Sequence, residues 1–306
     1  MSPACRSSLR AMTSPAPFGR MLTAMATAFT DDGAVDLDAT AAIAHHLVEH
    51  GHDGVVVSGT TGESPTCSIA ETGEILRAVK DAVGDRASVV AGVGTNATAH
   101  SVELAQQAEK LGADALLLVT PYYSKPGQAG VLHHFQQVVA ATGTPVVLYD
   151  VPGRTGTQIS LETFARIKGD TVVAVKDAVG DFARGVELIE MGYAVYSGDD
   201  ISNLGWLAHG ASGVISVVGH VAGHQIRSMI DDFHDGNTAA ALRTYARLLP
   251  ATRAMMGVPH YGATTAKACL QLLGVLDNRN VRAPLVPLTD DEVDDLRAGL
   301  ELSHLL

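Results

Sequence analysis

The chain has 306 residues, 46% of them hydrophobic, and a formal net charge of −12. That is enough apolar material for a sizeable core, and the acidic balance argues against nonspecific binding to nucleic acid or anionic membranes. No apolar run approaches the length of a membrane span, and three widely spaced cysteines (Cys5, Cys67, Cys269) fit a reducing cytoplasm, not a disulfide framework or a metal site.

Residues 1–19 are rich in Ser, Pro, Ala and Arg and contain no acidic residue. They lack the apolar core of a secretory signal, so a disordered extension is expected there, with Met12 and Met21 as alternative starts. From residue 20 a rhythm begins. The apolar run 21–29 is followed by a helical pattern over 36–51 that ends on glycine. Strands are expected at 54–58, 88–93, 114–120, 145–149, 171–176, 193–197 and 213–218. Between and after them lie helical patterns at 69–83, 97–111, 131–142, 161–168, 182–191, 201–209 and 221–233, most ending at a glycine.

Eight strands, each followed by a helix, demand a parallel sheet covered by helices. Spread over roughly two hundred residues, they predict a closed (β/α)₈ TIM barrel over 20–235. The rival, a doubly wound open sheet, usually carries a Gly-rich phosphate turn, and Gly92-Val-Gly94 lacks its third glycine. Residues 236–306 show no strand pattern. Helices at 239–256, 264–273 and 290–305 predict a C-terminal helical region packed on the barrel.

In such barrels the reactive residues stand at the carboxyl ends of the strands. Here those ends carry Gly59-Thr-Thr-Gly-Glu-Ser64, Thr95-Asn96, Pro121-Tyr-Tyr-Ser-Lys-Pro126, Tyr149-Asp-Val-Pro-Gly-Arg154, Lys176, Ser197-Gly-Asp-Asp200 and Val214-Ile-Ser216. Lys176 ends a strand whose residues 171–175 are apolar and mostly β-branched, whereas the other five lysines fall on helices (Lys80, Lys110, Lys168, Lys267) or in a Pro-flanked loop (Lys125). Desolvation lowers an ammonium pKa, and a neutral amine at the mouth of an apolar pocket can attack a carbonyl to form a Schiff base. The bland alternative is a lysine that leaves the strand and reaches into water. Threonine hydroxyls and backbone N–H groups in a Gly-flanked turn can hold a carboxylate, a tyrosine hydroxyl can shuttle a proton, and an arginine can grip a second carboxylate. Their convergence on one rim favours a binding site over a set of unrelated edge residues.

Other features carry less. His45-His46 and His133-His134 are adjacent on helices, so each pair points two ways and cannot chelate one ion. His220 and His224 are four apart, but Gly223 interrupts them and no glutamate follows His220. Asp199-Asp200 reads as a helix N-cap before it reads as a cation site. No Walker motif or cofactor signature is present, so neither cofactor nor metal is expected.

The strand-end motifs, with Val175-Lys-Asp-Ala178 and the tail Arg282-Ala-Pro-Leu-Val-Pro-Leu288, resemble those of the dihydrodipicolinate synthase family, within the class I pyruvate aldolase and lyase superfamily, from about residue 20 to Leu288. The resemblance implies that Lys176 forms a Schiff base with pyruvate and that Tyr149 donates and accepts protons. It implies that Thr60 links Tyr149 to Tyr123, which reaches across a dimer interface into the neighbouring site. Thr61, Ile215 and Gly198 are then pyruvate-binding positions, largely through backbone groups, and Arg154 binds the carboxylate of L-aspartate 4-semialdehyde. It further implies a cytoplasmic homotetramer, a dimer of dimers, on the route to diaminopimelate and lysine. The alternative is a related Schiff-base aldolase of the N-acetylneuraminate or 2-keto-3-deoxy-gluconate type, which resembles this chain in the barrel but typically lacks the arginine.

Some positions depart from the family pattern. Asp150 and Asp177 stand where Asn and Glu are frequent, and Ala28 where proline is usual. Ile69, Thr72 and His100 occupy positions that carry histidines and a glutamate in members inhibited by lysine, while Asn96 and Tyr122 remain. Weak or absent inhibition by lysine is therefore expected.

Overall fold

Eight short apolar segments become eight parallel strands, in a computed structural model that describes residues 15–257 and 262–306. They are β1 (Met21–Ala24), β2 (Gly54–Val57), β3 (Ser88–Gly92), β4 (Ala115–Val119), β5 (Val146–Asp150), β6 (Val172–Asp177), β7 (Ala194–Ser197) and β8 (Gly213–Ser216). Each pairs with its neighbours in sequence order, and β8 pairs back onto β1, so the sheet closes. This is the (β/α)₈ barrel expected from the alternation. Residues 1–14, most of the expected N-terminal extension, lie outside the described residues. Just ahead of β1, Phe18 is buried among the residues that fill the barrel and donates its N–H to the Tyr196 hydroxyl at 3.3 Å.

The strands read as continuous Val/Leu/Ala runs because both faces are covered. Alternate residues divide between two cores. Leu22, Val56, Val90, Leu117, Val147, Ala174, Tyr196 and Ile215 fill the barrel, whereas Val55, Val89, Leu116, Leu148, Val175 and Val195 pack outward under the helices. Tyr149 belongs to the inner set. Lys176 lies two residues beyond inward-facing Ala174 and so points the same way.

The helices are α1 (Leu37–Glu49), α2 (Ile69–Val83), α3 (Thr98–Lys110), α4 (Gln128–Ala140), α5 (Pro152–Thr155), α6 (Leu161–Ile167), α7 (Phe182–Glu190), α8 (Asn203–Ala208), α9 (Gly219–His234), α10 (Thr238–Met256), α11 (Ala263–Leu272) and α12 (Asp290–Leu302). Capping residues start several of them. Asp36 and Asp181 accept backbone N–H groups of α1 and α7, and Ser68 with Glu71, like Thr289 with Glu292, forms a reciprocal capping box. The periodicity reading has no helix at α5. Its single turn begins on Pro152, whose fixed φ suits a first helical position, and stops at Gly156 with φ 70°. The C-terminal helices share one apolar cluster with α9 and with Met21 and Val214 of the barrel. No helix among the described residues is long and apolar enough to cross a membrane.

Candidate active site

A pocket of about 420 Å³ opens at the carboxyl end of the barrel, lined by Thr60, Thr61, Tyr149, Arg154, Lys176 and Gly198 among others. Six of the eight expected site residues therefore meet in one cavity. β5 and β6 place two of them as register partners, Tyr149 opposite Lys176. The Lys176 ammonium nitrogen lies 4.5 Å from the Tyr149 ring centroid. Lys176 is 4% exposed. Burial pushes its pKa down to about 8; the Asp200 carboxylate works against that shift and the Arg154 guanidinium adds to it. Gly198 follows from the same crowding, since a Cβ there would sit 2.9 Å from the Asp177 carbonyl oxygen and 3.1 Å from Lys176 Cγ.

Two expected residues stand elsewhere. Ile215 lies inside the barrel core, and Val217, two residues on, lines the pocket instead. Tyr123 is 90% exposed with φ 70° and lines an adjacent cavity of about 380 Å³, which also touches Thr60, Tyr149 and Arg154. The chain's own fold does not bring Tyr123 to Lys176.

The loop after β2 is strained and pinned. Ser58 and Glu63 hold left-handed backbone, at φ 52° and 55°, on either side of Thr60 and Thr61. The close passage of β3 beneath the loop requires Gly92, because a Cβ there would meet the Ser58 carbonyl oxygen at 2.2 Å. Glu63 is buried, accepting from the Lys267 ammonium at 2.5 Å and from the Arg282 backbone N–H at 2.8 Å. Lys267 also donates to the Asn280 carbonyl at 2.7 Å and lies 4.1 Å above the Phe29 ring. Sequence spacing treats Lys267 as one more helix lysine, yet it is wholly buried and its pKa is also pushed down to about 8, chiefly by burial. The two buried lysines differ in partner: Lys267 is locked to a carboxylate away from the cavity, whereas Lys176 faces it.

The N-cap reading of the aspartate pair needs correction. Asp199 heads a three-residue 3₁₀ turn without a side-chain cap, and Asp200 ties down the turn after β8. Asp200 accepts from the Val217 N–H at 2.7 Å, the Val218 N–H at 3.0 Å, Asn203 Nδ2 at 3.0 Å and the Ser216 hydroxyl. A three-residue turn has few free N–H groups to cap, and the bend after β8 offers two. His220 is held neutral by burial, its Nδ1 bonding the Val217 carbonyl and its Nε2 accepting from the Ala26 N–H. Among the described residues no group of three His, Cys, Asp or Glu is placed to hold a metal. The C-terminal region supplies Met256, Ala263 and Leu285 to the pocket wall, which no local sequence signal marks.

Fold and rim together define a (β/α)₈ barrel with a buried lysine, a tyrosine and an arginine gathered in one pocket at the strand ends. The model of the dihydrodipicolinate synthetase family matches residues 17–302. The chain is 55% identical over 291 residues to a 4-hydroxy-tetrahydrodipicolinate synthase of Kineococcus radiotolerans, covering 94% of each. It is also 55% identical over 288 residues to that of Acidothermus cellulolyticus, covering 94% of this chain and 92% of the relative. A crystal structure of a dihydrodipicolinate synthase from Bacillus anthracis superposes with a TM-score of 0.89 at 39% identity, covering 93% of this chain and 98% of the other. The chain belongs to the dihydrodipicolinate synthetase family.

Proposed function

We propose that Lys176 is the Schiff-base nucleophile in the condensation of pyruvate with L-aspartate 4-semialdehyde, the reaction of a 4-hydroxy-tetrahydrodipicolinate synthase on the route to diaminopimelate and lysine. The observation that carries this reading is a desolvated lysine in register with Tyr149, in a pocket that also holds Arg154.

The neutral Lys176 amine attacks the pyruvate C2 carbonyl, and Tyr149 hands a proton to the departing hydroxyl as water leaves the carbinolamine. Loss of a C3 proton from the resulting iminium gives an enamine. Its C3 forms a bond to the aldehyde carbon of the semialdehyde, whose oxygen takes up a proton and becomes the hydroxyl. The amino group of the condensed chain then attacks the iminium carbon, closes the ring and releases Lys176. One water is lost overall. Thr61 and Gly198 seat the pyruvate carboxylate, with Ile215 in the barrel core beneath. Arg154 receives the carboxylate of the second substrate through two parallel hydrogen bonds. Thr60 relays protons between Tyr149 and the Tyr123 of a second copy. We therefore read the working unit as at least a dimer and as a tetramer built from two dimers, and place it in the cytoplasm, where the free thiols Cys67 and Cys269 stay reduced.

The test is borohydride reduction in the presence of pyruvate, followed by intact mass and peptide mapping. A pyruvate-sized adduct on Lys176 is expected. Semialdehyde should then be consumed as acceptor in preference to sugar aldehydes. An unmodified Lys176 in protein that binds pyruvate would refute the mechanism.

A further inference from the structure

Behind the strand-end pair Tyr149 and Lys176 lies a buried charged cluster that takes no part in the chemistry above. The next residues along β5 and β6, Asp150 and Asp177, are also register partners and are wholly buried. Because strand side chains alternate, they point outward, away from the cavity, into the layer between sheet and helices. There Arg184 of α7 forks between them. Its Nη1 donates to Asp177 Oδ2 at 2.7 Å, and its Nη2 donates to Asp150 Oδ2 and to the Ile159 carbonyl at 2.9 Å. The remaining carboxylate capacity goes to backbone. Asp177 Oδ1 accepts from the Val179 and Gly180 N–H groups, and Asp150 accepts from the Ile159 N–H.

We propose that Arg184, acting through Asp150 and Asp177, is a positioning residue that sets the register of Tyr149 against Lys176 and the path of the segment carrying Arg154. The inference rests on the catalytic reading above and deepens it.

Two observations carry it. First, the β5–β6 pairing is irregular: Val146 pairs with Val172 but Val147 with Ala174, so one residue of β6 is bulged out below the site. Above the bulge the pairing is offset by one residue, and a one-residue slip there turns inward residues outward. In the slipped arrangement Lys176 would leave the cavity. The guanidinium fork spans both strand ends in the one register that pairs Asp150 with Asp177, and so Tyr149 with Lys176. Second, both bonds to Ile159 return the chain leaving α5 to the same cluster. The Arg154 loop is thereby closed onto the row of residues that holds the nucleophile.

Burial alone does not account for this arrangement. Two carboxylates share one guanidinium, and apolar residues of similar volume would pack the same layer without desolvating three charges. The fork supplies direction, which packing does not. An ammonium at the same place keeps the charge but not the planar geometry.

Arg184→Lys tests the proposal, with three readouts taken on folded protein: the rate of borohydride-trapped adduct formation with pyruvate alone, kcat, and KM for the semialdehyde. The expected result is a loss of at least about tenfold in adduct rate and kcat, since small misplacements of reacting groups are costly, together with a raised semialdehyde KM. A lower melting temperature with all three within twofold of the parent would make the cluster merely structural and overturn the proposal. If Arg184→Lys does not fold, Asp177→Asn decides, because its amide oxygen still accepts from Val179 and Gly180 while its NH2 group cannot accept from Arg184, and the Arg184–Asp150 arm stays. A slower adduct rate with a raised KM supports the proposal, and unchanged values overturn it. The unaltered protein is the control for the catalytic reading: if it forms no adduct, that reading fails first and this one with it.

Discussion

At the scale of the residue, Lys176 is set by desolvation. An amine whose pKa is pushed down to about 8 is mostly protonated at pH 7, and its neutral fraction grows about tenfold per unit until pH passes 8. The value of kcat/KM for pyruvate should therefore rise with pH through a limb near 8 and then level, in a pH series read by adduct formation. A flat profile between pH 6 and 9 would contradict a lysine so placed. Arg154 acts on the other substrate. Arg154→Met should leave the pyruvate adduct rate within about twofold, while semialdehyde KM rises by one to two orders of magnitude, about the worth of a charge-assisted contact. A parallel loss in the pyruvate half-reaction would assign Arg154 a different role.

At the scale of the element, the β2 loop depends on a helix far along the chain. Glu63 and Lys267 are 204 residues apart, and each is 1% exposed at its side chain. The pair is a hinge pin between the Thr60–Thr61 turn and the C-terminal helices. Lys267→Met leaves a buried carboxylate without its counter-charge and should lower stability by about 3–5 kcal/mol in denaturant melts. Adding Glu63→Gln to that variant should recover part of the loss, since the uncompensated charge is gone. If the double variant is no more stable than the single one, the ion pair is not what holds the loop.

At the scale of the whole molecule, one chain leaves Tyr123 facing solvent at the edge of a cavity that Thr60 and Tyr149 also line. The proposed relay needs a second copy to cover this large exposed aromatic on its left-handed backbone. Sedimentation should find a dimer or larger, and Tyr123→Phe should lower kcat about ten- to hundredfold, the usual worth of a lost proton relay, without changing assembly. A monomer with full activity would refute the shared site. A third cavity of about 210 Å³ is lined by Pro65, Thr72, Asn96, His100 and Tyr122, four of which are positions that the family resemblance links to lysine inhibition. Thr72 spends its hydroxyl on the Ile69 carbonyl and on Gln107, and no acidic residue lines the cavity to meet a ligand amine. Millimolar lysine should leave the rate nearly unchanged, and strong inhibition below a millimolar would refute this.

The barrel was legible in the sequence because its signals are local. Strand runs such as Ala115–Val119, capping residues such as Ser68, and the alternation of the two periods need no knowledge of what packs where. The same locality placed Lys176, Tyr149, Arg154, Thr60 and Thr61 on one rim, since every strand of a closed parallel barrel ends on the same side. What the tertiary structure alone decided are the partners. That Lys267 is buried against Glu63, that Arg184 bridges Asp150 to Asp177, that Asp200 serves the turn after β8, and that Val217 rather than Ile215 lines the pocket all depend on distances fixed when the barrel closes. A charged side chain carries no mark of its counter-charge in its own stretch of sequence. Its pKa, its burial and its use are set by groups tens to hundreds of residues away.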